Sequence, residues 1–244
     1  GRDGQGGRVL LLAPRVGLIR EAEVNVSGRT DGGVVLVGGD YQGKNPSVQN
    51  AQQTYVGLDA HILADAIDSG NGGKVIVWAD ENTRFYGSIS ARGGVQGGDG
   101  GFAEVSGHKT LTFAGGVDLR ASLGATGSLL LDPTEINIQS GSNGANTTIT
   151  IAGIGPFTDT STGSVANSIL TDGTINTQLN TANVTVTTAT ADIVISNVAG
   201  TVAIAPTGGA NDNTLTLNSA ANVSWNAGWS YANGAGAGSK GQLT

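Results

Sequence analysis

Short aliphatic runs set off by glycine give the first half of the chain its pattern. They read Gly6-Gly7-Arg8-Val9-Leu10-Leu11, Gly32-Gly33-Val34-Val35-Leu36-Val37 and Gly72-Gly73-Lys74-Val75-Ile76-Val77. Gly100-Gly101-Phe102-Ala103-Glu104-Val105 and Thr126-Gly127-Ser128-Leu129-Leu130-Leu131 follow. The anchoring glycines are Gly7, Gly33, Gly73, Gly101 and Gly127, so the steps are 26, 40, 28 and 26 residues. Recurrence at this period marks stacked units, each too small to bury its own apolar face. A second β-like run follows about half a repeat later, at Val24-Asn25-Val26, Ile89-Ser90-Ala91 and Val117-Asp118-Leu119, and less clearly within His61 to Asp68. Each repeat therefore reads as strand, turn, strand, turn, with Gly, Asn and Asp at the turns.

Two short strands in about 26 residues are too few for a propeller blade, which takes roughly 40 residues and four strands. A sandwich would not repeat one phrase at near-constant spacing. The pattern predicts an all-β chain folded as a parallel β-helix, one repeat per coil. Val35, Val75, Val105 and Leu129 are expected in equivalent strands of successive coils. The second repeat is longer by 14 residues (40 − 26), which map to a polar, Pro-containing loop at about 41–55.

Near Asp132-Pro133 the composition changes. Eleven of the 12 Lys and Arg precede residue 136, and beyond it only Lys240 is basic. The chain divides into glycine-anchored repeats over 1–135 and a Thr/Asn/Ser-rich continuation over 136–244. In the latter, strand-like phrases stand at Thr147–Ile151, Val184–Thr187, Ile193–Ile195, Val202–Ile204, Leu215–Leu217 and Val223–Trp225. An interruption is expected at about 153–182. It holds a loop from Gly153 to Gly163 and one short helix, capped by Thr171 or Asp172 and running to Asn180.

The net charge of −7 disfavours nucleic acid, which needs a basic face. Absence of Cys excludes disulfides and thiolate metal sites. No apolar run approaches the roughly 18 residues of a membrane span. Absence of Met fits a fragment or a processed product. Both ends break the repeat, so the next coil is expected from a longer parent chain or a like subunit.

The run from Gly72 through Ala79-Asp80 to Phe85-Tyr86-Gly87-Ser88-Ile89-Ser90-Ala91-Arg92-Gly93-Gly94 resembles the filamentous-haemagglutinin-like exoproteins of Gram-negative bacteria. So do Gly98-Asp99-Gly100-Gly101-Phe102-Ala103-Glu104-Val105-Ser106-Gly107-His108 and Leu129-Leu130-Leu131-Asp132-Pro133-Thr134-Glu135-Ile136-Asn137-Ile138. The resemblance covers roughly residues 1–140. It implies a right-handed parallel β-helix, secretion of the parent through a two-partner outer-membrane transporter, and a structural or adhesive role at the cell surface. The family's Asn-Pro-Asn-Gly secretion phrase is absent from this chain. A filament subunit stacking end to end and a carbohydrate-active β-helix enzyme are the alternative readings.

Candidate chemistry is sparse, and the expectation is no catalytic site, no cofactor and no required metal. Gly93-Gly94-Val95-Gln96-Gly97-Gly98-Asp99 matches the phrase of a Ca²⁺-binding turn, with Asp99 as the ligand. It occurs once where such sites stack several, so a plain glycine turn is the stronger reading. His61 and His108 have no partner at metal-ligand spacing. Asp80-Glu81, Glu21 and Glu23, with Arg84 and Arg92 nearby in sequence, are the residues a polysaccharide-cleaving site would draw on; a solvated polar face is the simpler account. Trp78 and the cluster Trp225, Trp229 and Tyr231 suit a cap or core, a subunit contact, or stacking on surface glycans.

Overall fold

The computed structural model describes residues 4–139, 168–196, 202–205, 213–225, 229–231 and 242–243. Strands follow one another in threes. The first tier holds β1 (Arg8–Leu11), β2 (Arg15–Leu18) and β3 (Glu23–Asn25); the second, β4 (Val34–Val37), β5 (Gln53–Val56) and β6 (His61–Leu63). The third holds β7 (Lys74–Ala79), β8 (Asn82–Phe85) and β9 (Ser88–Ser90); the fourth, β10 (Phe102–Gly107), β11 (Thr110–Phe113) and β12 (Gly116–Asp118). Then come β13 (Ser128–Leu131), β14 (Ile136–Gln139), β15 (Ser168–Thr171), helix α1 (Asp172–Leu179), β16 (Asn183–Thr188), β17 (Ile193–Ser196) and β18 (Val202–Ile204). β19 (Thr214–Ser219), β20 (Val223–Trp225), β21 (Trp229–Tyr231) and β22 (Gln242–Leu243) follow.

The pairings among the described strands are parallel, and through the first four tiers each strand pairs with its counterpart in the adjoining tier. The first sheet runs β1-β4-β7-β10-β13-β16-β19-β22, the second β2-β5-β8-β11-β15-β14-β17-β20. β3, β6, β9 and β12 form a third sheet, and β18 pairs with β21. The chain is thus all-β, built of parallel sheets, with one α-helix among the described residues.

Each of the first four repeats carries three strands, not two. The missed strand is the middle one: Arg15–Leu18, Gln53–Val56, Asn82–Phe85 and Thr110–Phe113. Its alternate positions are polar or glycine, and in the third tier only two residues separate it from β7, so the pair reads as one run with a polar tail. The run near Val24, Ile89 and Val117 is the third strand, and His61–Leu63 is its counterpart in the long repeat.

Side chains line up in rows inside the stack. Val9, Val35, Val75, Ala103, Leu129, Val184 and Leu215 share one register. Val105 lies in the expected strand but two places along, opposite Val77, because Ala103 fills the position of Val75. Phe85 and Phe113 stack with centroids 5.4 Å apart and rings 6° from parallel. Such rows bury each apolar side chain against the tiers above and below it.

The glycine anchors are steric. The N–H groups of Gly33, Gly73, Gly101 and Gly127 donate across the corner to the carbonyls of Val26, Ala64, Ala91 and Leu119, at 2.9, 2.7, 2.7 and 2.8 Å. A Cβ on Gly73 would run into the carbonyl oxygen of Gly33 one tier below. Beside this corner the side chain of each tier caps the next: Asp31 Oδ1 accepts Asn71 N–H, Asn71 Oδ1 accepts Asp99 N–H, and Asp99 Oδ1 accepts Ala125 N–H, at 3.0, 2.8 and 2.8 Å.

The expected helix is present as Asp172–Leu179, with Thr171 as its N-cap: Thr171 Oγ1 accepts Thr174 N–H at 3.2 Å. It stands between β12 and β18, where no described strand occupies the third face. Its side chains replace a strand's backbone. Gln178 Oε1 accepts Val117 N–H at 2.9 Å and Gln178 Nε2 donates to Gly115 O at 3.4 Å. On the other side, Asn176 Nδ2 donates to Ala203 O, Asn176 Oδ1 accepts Ala205 N–H, and Asp172 Oδ2 accepts Ala203 N–H, at 2.8, 2.7 and 2.9 Å. The expected interruption at 153–182 therefore contains a strand, β15, as well as the helix, and the loop expected from Gly153 to Gly163 lies outside the described residues, as does the Thr147–Ile151 phrase.

Candidate functional site

The inserted loop and the outer face of the first sheet make the most unusual site on the molecule. β4, β7 and β10 are buried on both faces, unlike the alternating strands of the second sheet. Residues 38–52, the strap, supply the cover. Under them Leu36, Ile76 and Trp78 form a second apolar cluster outside the main core, packed with Val34, Val48 and Phe102. The loop lies a few residues earlier than the expected 41–55, since β4 ends at Val37 and β5 begins at Gln53.

The strap is held by its own first turn. Asp40 caps a 3₁₀ turn at Tyr41–Gly43: Oδ1 accepts Tyr41 N–H and Oδ2 accepts Asn45 Nδ2–H, both at 2.8 Å. The hydrogen bond from Asn45, with help from Tyr41 N–H and Lys74 and against the cost of burial, holds the Asp40 carboxyl below its ordinary range. Gln42 sits in the left-handed region at φ 52°, ψ 22°. Gly43 packs against the indole of Trp78, and a Cβ there would come within 2.6 Å of the ring. Trp78 Nε1–H donates to Asp80 Oδ1 at 2.9 Å, which also accepts Asn50 Nδ2–H at 2.9 Å.

Gln42 touches two carboxyls. Its backbone N–H lies 3.2 Å from both Oε1 and Oε2 of Glu104, and its Nε2 donates to Asp132 Oδ2 at 2.7 Å. Glu104 is 0% exposed, in register with Ile76 and Leu130. Burial pushes its carboxyl up to about 7; the Gln42 N–H, Ser106 and Lys74 oppose this, and the charge of Asp132 adds to it. Burial also raises Asp132, against Gln42, Lys44 and His108. Asp132 Oδ1 is buried with no hydrogen-bond partner among the described residues.

Beside the strap a shallow groove of about 810 Å³ runs along the glycine corners from Gly32-Gly33 to Gly127. Tyr41 and Phe102 wall it, 5.9 Å apart, with Lys74 Nζ 5.6 Å from the Tyr41 centroid and 3.5 Å from Asp40.

The sequence candidates scatter. Asp99 spends Oδ1 on the Ala125 amide, a link between tiers, and among the described residues no three His, Cys, Asp or Glu side chains gather as a metal set. His61 Nδ1 meets Ser88 Oγ at 2.6 Å, and the His108 ring lies 6.4 Å from Trp78. Asp80 supports the strap, while Glu81 pairs with Lys109 at 3.0 Å. Arg92 is held by Asp65 at 2.8 Å on the corner after β9, away from Asp80 on the corner after β7. Arg84 lies on β8, and Glu21 and Glu23 belong to the first tier. These acids and arginines are not gathered. Trp78 is buried under the strap. Trp225 is 50% exposed at the end of β20 in the second sheet, while Trp229 and Tyr231 lie on β21, paired to Val202 and Ile204.

Sequence reasoning missed Gln42, Glu104 and Asp132. The signal was there for Glu104: it occupies the place of Leu36 and Ile76 in the aligned repeats, an acid at an apolar position. No helix among the described residues is long and apolar enough to cross a membrane. No family model matches the chain, and no curated protein matches it.

Proposed function

We propose that the chain is a right-handed parallel β-helix serving as a structural, adhesive segment of a secreted bacterial surface exoprotein of the filamentous-haemagglutinin-like kind. One observation carries this reading: three successive strands visit three faces, and each pairs in parallel with its counterpart one tier on. Such a stack is rigid and spaces weak contacts at a fixed interval, so that adhesion gains strength from multivalency. The parent would leave the cell through a two-partner outer-membrane transporter. Surface glycans, like subunits and further coils of the parent are the partners this role implies.

Two measurements test it. Negative-stain electron microscopy of the native material should show rods, and a field of compact particles overturns the reading. Beads coated densely with the chain should adhere to host-type cell surfaces while the soluble chain binds weakly. Equal binding in both formats removes avidity as the mechanism, and turnover of a polysaccharide would replace adhesion with catalysis.

A further inference from the structure

The strap closes over apolar surface through an unusual latch. Two carboxyls, one fully withdrawn from solvent, are held at one site by three donor groups: Gln42 N–H, Gln42 Nε2 and Ser106. Among the described residues, Asp132 Oδ1 is left with none. The nearby cations are bonded elsewhere, Lys74 with Asp40 and Lys44 Nζ with Gln42 Oε1 at 2.8 Å. His108 faces Asp132 from beyond β10, and Asp80 lies past the end of β7 under Asn50 and Trp78. Ile76 and Leu130 flank Glu104 in the sheet and bring no charge. Among the described residues the site therefore lacks one positive charge and one donor, and a proton supplies both.

We propose that the strap is a pH-gated cover: it stays closed over Leu36, Ile76 and Trp78 while Glu104 and Asp132 retain a proton, and it opens as both carboxyls ionise. Opening hydrates the two groups and releases the repulsion between them, at the cost of Gln42's hydrogen bonds. It is also favoured by Gln42, whose left-handed backbone relaxes when the turn lets go. The charge of His108 favours the ionised form of Asp132, so Glu104 is the group that keeps the proton. The strap begins at Gly38, whose φ of 78° turns the chain out of β4. Once open, the first sheet presents an apolar face that the closed form hides, so the stack would adhere differently in acid and in neutral surroundings.

Amide hydrogen exchange from pH 4.5 to 8, corrected for intrinsic rates, tests the cover. Protection of the Gln42 amide and of peptides spanning 38–52 should fall on the order of 100-fold across that range, as the closed site gives up a proton that the open site loses earlier. The Val117 amide, in the third sheet, should show no matching transition. In Glu104→Gln the fall should vanish. In Asp132→Asn its midpoint should move to lower pH, because the neighbouring charge is gone. Strap protection that is flat with pH in the unaltered chain overturns the proposal; so does an unchanged profile in Glu104→Gln, or, should that variant not fold, an unchanged midpoint in Asp132→Asn.

Discussion

Replacing Gln178 by Leu isolates what the helix does for the third sheet. The two side chains are close in size, so the substitution opens little space. It removes the amide that closes the edge of β12. Gln178 is 2% exposed, so water does not reach the groups it serves. Val117 N–H loses an acceptor at 2.9 Å and Gly115 O loses a donor at 3.4 Å. A buried backbone group left unpaired costs about 1–3 kcal/mol. The long second bond falls at the low end of that range, and Leu regains some transfer free energy. The expected net loss is about 2–4 kcal/mol. Urea unfolding, followed by circular dichroism, measures it through the midpoint at constant m-value. Hydrogen exchange supplies the local readout: the Val117 amide should lose protection, while the Val35 amide in the first sheet keeps its own. Gln178→Glu keeps the acceptor for Val117 and, while protonated, an O–H for Gly115, and it should destabilise more as pH rises, since the buried carboxyl must then ionise and lose that donor. A Leu variant as stable as the original, or a Val117 amide equally protected in both, refutes the claim that side-chain amides stand in for a strand.

Glu104 makes stability fall as pH rises. Its folded-state carboxyl is raised from 4.5 to about 7, so the folded chain binds the proton more tightly; the contribution is full below pH 4.5 and lost through pH 7, a total of about 3 kcal/mol. Urea midpoints at pH 5 and 8 should show the trend, and Glu104→Gln should flatten it. Phe85→Ala removes a fully buried ring stacked on Phe113 and should cost about 3–5 kcal/mol in the same assay. Asp99→Asn keeps the acceptor for Ala125 and should be close to neutral, whereas Asp99→Ala should cost about 1 kcal/mol; chelation should leave the melting temperature of the unaltered chain in place. Gly73→Ala forces a methyl against the Gly33 carbonyl and should lower the melting temperature sharply, with a normal value refuting the steric account of the anchors.

Much of the architecture was legible because glycine marks the corner where neighbouring tiers press closest. That contact tolerates no side chain, so the period shows in composition alone. The helix was legible from Thr171 and the Ile175/Leu179 spacing. The middle strands were not, since Gln53–Val56 and Asn82–Phe85 alternate across a wet face and carry no glycine anchor. The strap was visible as an excess of residues, but not what it covers. That depends on Leu36, Ile76 and Glu104 sharing one outward register, which no single repeat reveals. Gln42 and Asp132 are 90 residues apart, and only the stacking of tiers brings them within a hydrogen bond.

The place of β15 bears on the order of events during folding. Through the first four tiers each strand meets a partner laid down one circuit earlier, so a chain emerging from its amino end can add tier upon tier by templating. In the second sheet this stops at β11, whose next neighbour is β15, not β14. β14 pairs with β15 and with β17, and both follow it in the chain. The apolar residues Ile136 and Ile138 must therefore wait unpaired until Ser168–Thr171 returns. Growth along this axis would pause there, and the slowest kinetic phase should report on the second sheet beyond Phe113, after the first four tiers are already formed.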